Sequence, residues 1–70
     1  MKRYRVFFTN GNDLILEADT AGYVYNDNVK KTFLVYSIDE KVIATFNVDN
    51  IVGDMVIEEY SVKGITGKGI

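Results

Sequence analysis

Apolar and polar residues alternate at a two-residue period along most of the first 60 positions, in short runs separated by polar turns. Such a pattern presents one apolar and one polar face only when the chain is extended, because successive side chains of a strand point to opposite sides. No long stretch shows the 3.6-residue recurrence of an amphipathic helix. The chain is therefore expected to be all-β.

Residues 3–9 place Tyr4, Val6 and Phe8 on one face and Arg3, Arg5 and Phe7 on the other. Asn10-Gly11-Asn12-Asp13 follows, and Asn and Gly tolerate the positive φ that tight hairpins need. The return strand, 13–19, turns Leu14, Leu16 and Ala18 inward and Asp13, Ile15, Glu17 and Asp19 outward. A turn is expected at Ala21-Gly22, then a short strand at Tyr23-Val24-Tyr25, then a polar turn at Asn26-Asp27-Asn28.

Residues 32–38 are apolar on both faces, as in a central strand covered from two sides. Beyond the tip Asp39-Glu40-Lys41, residues 42–48 alternate again, with Val42, Ala44, Phe46 and Val48 opposite Ile43, Thr45 and Asn47. Asp49 and Asn50 can cap a single helical turn. Ile51 is then expected to plug the end of the core, Gly53 to allow a sharp exit, and residues 54–60 to form the last strand. Residues 61–70 hold three of the six glycines and are expected to form a flexible tail behind a single 1–60 domain.

A 70-residue chain buries only about 60% of the surface that its unfolded form exposes. With no Cys and no His it has no disulfide, and structural zinc is disfavoured. The core must suffice alone, or a symmetric partner must extend it.

The net charge of −2 argues against a nucleic-acid footprint, which needs a basic stripe. Lys2, Arg3 and Arg5 cluster at one end of the sequence and Asp54, Glu58 and Glu59 near the other. Cross-strand pairing of these two groups is expected over a phosphate-binding patch. No run approaches the ~18 apolar residues of a membrane span. The opening residues lack the apolar stretch of a signal peptide, so cytoplasmic residence is the default expectation.

Acid–base chemistry here would have to come from carboxylates, lysines or tyrosines. Asp13, Glu17 and Asp19 share one strand face, as a cation cluster would or as a solvated surface would. Asp39-Glu40 and Glu58-Glu59 converge on nothing. Gly64-Ile65-Thr66-Gly67-Lys68-Gly69 lacks the spacing and the following Ser or Thr of a phosphate loop. No catalytic residue, metal-ligand set or cofactor is expected.

Binding has more material. Tyr23 and Tyr25 point the same way, Tyr36 is expected on the exposed side of the central strand, and Arg3, Arg5 and Phe7 share an outer face. Tyr, Phe and Arg supply large contact area at modest entropic cost. The same Tyr rings could instead close the ends of a small barrel with their hydroxyls in water. Strand edges without Pro also invite self-association.

The meander, with one 3-10 turn at Phe46-Asn47-Val48-Asp49-Asn50-Ile51-Val52-Gly53 before its last strand, resembles the small SH3-like and Sm-like β-barrels. That resemblance implies a five- to six-stranded barrel over residues 3–60. It carries over no binding residues: Asn10-Gly11 sits in the first hairpin, away from an RNA-binding loop, and the Trp and Pro of a peptide groove are missing. In style the chain is also similar to short acidic β proteins of low-GC Gram-positive bacteria and their phages, which commonly bind and block a partner. The function expected is a non-catalytic protein-interaction module, an inhibitor or adaptor. Two alternatives stand beside it. One is an oligomeric protein that sequesters a small ligand or nucleotide around Arg3, Arg5 and Lys30. The other is a nucleic-acid-binding barrel.

Overall fold

A computed structural model describes residues 1–60, and the tail expected at 61–70 lies outside the described residues. The chain is all-β. Its elements are β1 (Lys2–Phe8), β2 (Asp13–Ala18), β3 (Thr20–Asn26), β4 (Lys31–Ile38), β5 (Lys41–Asn47), a 3-10 turn (Val48–Asn50) and β6 (Ile51–Glu59). They form two three-stranded antiparallel sheets, ordered β2-β1-β6 and β3-β4-β5.

Local side-chain chemistry sets most of the turns. In the first hairpin Gly11 adopts φ +91°, a conformation that side chains with a Cβ rarely enter. The Asn10 side chain accepts a hydrogen bond from the Asn12 N–H at 2.9 Å. Asn26 caps the β3–β4 turn in the same way, accepting from the N–H groups of Asn28 and Val29. Asp39 and Glu40 take φ 51° and 66°, giving a two-residue hairpin whose twist suits its strands. The Asn47 side chain accepts from the Asp49 N–H and opens the 3-10 turn.

The turn expected at Ala21-Gly22 is absent. Both residues lie inside β3, with Ala21 opposite Tyr36 and Gly22 opposite Val35. The chain breaks two residues earlier, at Asp19, whose N–H donates to the Ser37 carbonyl at 2.8 Å. The Asp19 carboxylate accepts from the Asp39 N–H at 3.0 Å. These contacts bend the β2–β3 segment so that it serves first one sheet and then the other. Gly53, expected at a sharp exit, likewise lies within β6 opposite Phe7. Ile51 is the first residue of that strand and packs partly buried against the core.

The two sheets meet over Tyr4, Val6, Ala18, Leu34 and Tyr36, the buried apolar residues. Phe8, Leu16, Ala44, Phe46 and Ile51 surround them. A chain of edge-to-face aromatic contacts crosses this core. Tyr4 meets Tyr36 at 4.9 Å between ring centroids, Tyr36 meets Phe46 at 6.0 Å, and Phe46 meets Phe8 at 5.5 Å. Tyr4 and Phe8 belong to one sheet, Tyr36 and Phe46 to the other, so the rings tie the layers together.

Tyr36 is thus corrected from an exposed binding residue to the centre of the core, with none of its surface accessible. Its strand is apolar on both faces, and such a run does not reveal which side turns inward. The Tyr36 hydroxyl donates to Asp54 Oδ2 on β6 at 2.6 Å, so the buried phenol is satisfied. Burial first, and the Asp54 carboxylate second, push this phenol well above the ordinary tyrosine range.

A neutral Tyr36 favours the folded state. That stabilisation is complete below the ordinary tyrosine range and is lost as pH rises through it toward the raised folded value. An ultraviolet titration should therefore show Tyr36 ionising only together with cooperative alkaline unfolding. Tyr36→Phe leaves the Asp54 carboxylate without its donor and should destabilise by about 1–3 kcal/mol in urea melts. A loss well under that range would show that water replaces the hydroxyl freely.

Candidate functional site

The expected binding residues fall into separate places. Arg3, Arg5 and Phe7 project from the outer face of β1, the central strand of its sheet. Strand register sets their neighbours, since residues directly opposite share a face. Arg3 lies between Glu17 and Glu58, Arg5 between Ile15 and Met55, and Phe7 between Asp13 and Gly53. The face therefore reads as a charged row, a mixed row and an aromatic row.

Both guanidinium groups are engaged inside the sheet. Arg3 reaches Glu17 at 2.8 Å through one terminal nitrogen and Glu58 at 2.8 Å through the other. Arg5 donates its Nε to Asp13 at 2.6 Å and lies 5.0 Å over the Phe7 ring, within cation–π range. The expected pairing of the basic cluster with the acidic one is realised at Arg3–Glu58, whereas Asp54 turns to Tyr36 on the core side. The hydrogen bond to Glu17 and the charge of Glu58 raise the Arg3 pKa. Its bond to Arg3 first, and one to Tyr60 second, lower that of Glu17. With Asp13 and Glu17 occupied by arginines, the acidic row of β2 acts as the counter-charge of β1. Among the described residues no group of three carboxylates is placed to hold a metal ion.

Tyr23 and Tyr25 lie on β3, one of the two edge strands of the second sheet, and every residue of this strand is exposed. Tyr23 opposes Leu34 and Tyr25 opposes Thr32, so both rings point to the face on which Leu34 and Tyr36 are buried. They extend beyond the cover of the other sheet and keep 64% and 58% of their surface accessible. Val24 projects to the opposite face beside Phe33 and is also exposed. Lys30 sits at φ +55° in the β3–β4 turn, away from the two arginines, and makes no ion pair among the described residues. Its neighbour Lys31 is bound to Asp49 at 2.8 Å, and that carboxylate raises the Lys31 pKa.

One feature had no signal in the alternation. An open cleft of about 470 Å³ lies between the end of β1 and the end of β5, floored by Phe8 and Phe46 and rimmed by Asn10, Asn47 and Asn50. The side-chain oxygens of Asn10 and Asn47 are committed to backbone N–H groups, which leaves their amide hydrogens as donors. The lining contains no ionisable side chain, so the cleft offers hydrogen bonds without proton transfer. The three asparagines are scattered over two turns and a strand end, and only the fold assembles them.

No helix among the described residues is long and apolar enough to cross a membrane. No family model, curated protein or solved structure matches the chain.

The Arg3–Glu17–Glu58 group should be visible in an acid titration followed by NMR. The Glu17 carboxyl is expected to titrate below the ordinary glutamate range, and Arg3→Leu should raise its midpoint toward that range, with the bond to Tyr60 still holding it down. Because the folded pKa is lowered, the associated stability is present above the ordinary range and is lost as pH falls through the lowered value. An unchanged Glu17 midpoint in the variant would exclude the bridge in solution.

Proposed function

We propose that this protein is a non-catalytic protein-interaction module built on a small SH3-like barrel, and that it takes up an extended segment of a partner protein along β3. The barrel reading is supported by the strand order. β6-β1-β2 and β3-β4-β5 are linked through the bend at Asp19, and the 3-10 turn separates β5 from β6. This is the connectivity that the resemblance to SH3-like proteins implies.

The observation that carries the interaction reading is the state of β3. A seven-residue edge strand with both faces exposed offers unpaired backbone groups to an incoming strand. Tyr23, Val24 and Tyr25 flank that edge with apolar surface on either side. A partner would pair its backbone along the edge and place alternate side chains against the two tyrosines and against Val24. On the outer face of the other sheet, Phe7, Ile15 and Met55 are apolar but are grouped around the charged Arg5.

The nucleotide-sequestering alternative draws less support. It requires Arg3 and Arg5 free for an anion, and both are bound to carboxylates at 2.8 Å or less. Lys30 lies in a different hairpin. The same engagement of the arginines weakens a nucleic-acid reading, which needs a basic stripe.

The test is affinity capture from cell lysate, with Val24→Lys as the edge variant and Arg5→Glu as the outer-face variant. The expected result is one stoichiometric protein retained by the unmodified chain and by Arg5→Glu but lost by Val24→Lys, with thermal midpoints within a few degrees of each other. Retention by Val24→Lys with loss by Arg5→Glu would move the site to the outer face of β1. No capture by any of the three would remove the reading.

A further inference from the structure

We infer that β3 pairs with β3 of a second copy of this chain, antiparallel and with Val24 on the two-fold axis, joining two three-stranded sheets into one of six strands. The inference rests on the proposed role of β3 as an interaction edge and names its occupant.

Four strands form the edges of the two sheets: β2, β6, β3 and β5. Three of them carry the charges that discourage strand addition. β2 has Asp13 and Glu17, β6 has Asp54, Glu58 and Glu59, and β5 has only Lys41, at its first residue, but pairs with β4 through a register shift. Register shifts further interrupt β6 in its pairing with β1. β3, Thr-Ala-Gly-Tyr-Val-Tyr-Asn, carries no charge and no proline and pairs with β4 without a register shift. Among the described residues it is the edge strand with neither a charge nor a register shift.

The strand is also complementary to itself. An isologous contact brings each residue opposite its symmetry mate. With Val24 on the axis, Val24 meets the second copy's Val24, each Tyr23 meets the other copy's Tyr25, and Gly22 meets Asn26. Residues of equal parity are opposed, so both tyrosines of each copy stay on the face that carries Leu34 and Tyr36, and the two valines meet on the other face. A slip by one residue would oppose unlike faces of the two sheets. A slip by two, onto Tyr23, leaves one aromatic pair in place of two and sets Tyr25 against Ala21. No like charges meet anywhere along the strand.

The absence of cysteine from the natural sequence makes the register directly readable. Opposed residues of an antiparallel pair have Cβ atoms about 4.5–5.5 Å apart. A Val24→Cys variant should therefore form covalent dimers rapidly with a short thiol-reactive cross-linker. Val52→Cys, on the highly exposed bulge of β6, should not. A mixture of Tyr23→Cys and Tyr25→Cys should give mainly the mixed dimer.

Sedimentation equilibrium of the unmodified chain should show a reversible monomer–dimer association that Val24→Lys abolishes, since it sets two ammonium groups opposite each other. A monomer at every concentration, or Val24→Cys linking no faster than Val52→Cys, overturns the inference. If the unmodified chain is monomeric and Val24→Lys still loses a captured lysate protein, the second copy is excluded and the interaction reading stands. If the dimer forms with the predicted cross-links and no lysate protein depends on β3, the dimer stands and the foreign-partner reading falls.

Discussion

The hydrogen bond between the Tyr36 hydroxyl and Asp54 holds together parts of the molecule that the chain alone leaves apart. Tyr36 is on the central strand of one sheet and Asp54 on an edge strand of the other, and the two atoms are 2.6 Å apart. Five buried apolar residues make a thin core for two sheets, and Tyr36 is among the largest of them. Its ring also occupies the middle of the aromatic series from Tyr4 to Phe8. A buried phenol is tolerable only when its hydroxyl has a partner, so the packing of this ring and the position of β6 depend on each other.

The outer surfaces follow from how charge is disposed around that core. On the β2-β1-β6 sheet, the arginines of the central strand are matched by carboxylates on both neighbours, which closes the sheet electrostatically. These exposed pairs contribute little to stability individually. Their effect is on recognition, because paired guanidinium groups are withdrawn from phosphates and nucleotides. On the other sheet the charge is carried by the turns and by the first residues of β4 and β5, and β3 is left neutral and open. The contrast between a satisfied face and an unsatisfied edge directs attention to β3 as the place where another chain is received.

Much of this architecture was legible in the alternation. The first hairpin, the central strand, the 3-10 turn and the last strand lie close to where the spacing of apolar residues and the Asn, Asp and Gly turns put them. The errors have physical causes. Ala21-Gly22 resembles a turn because glycine is permissive, but the bend is made at Asp19 by bonds to Ser37 and Asp39, far away in sequence. Tyr36 was placed outside because a strand that is apolar on both faces carries no sign of which face is inward. The binding residues expected from the sequence are picked by side-chain type, and they occupy an outer face, an edge, a turn and the core. The Asn10–Asn47–Asn50 cleft leaves no signal in the sequence because its members share no period.

Composition alone therefore decides the lack of disulfide or histidine chemistry, and local chemistry decides the strand content and the hairpin turns, since these depend on residues within a few positions of one another. Pairing across long separations decides everything else. Arg3 finds Glu58, Tyr36 finds Asp54, and β3 becomes an edge without a guard, because sheet order sets which strands lie side by side. A two-residue period specifies faces and leaves neighbours open, and in this protein the neighbours determine which side chains remain available to bind.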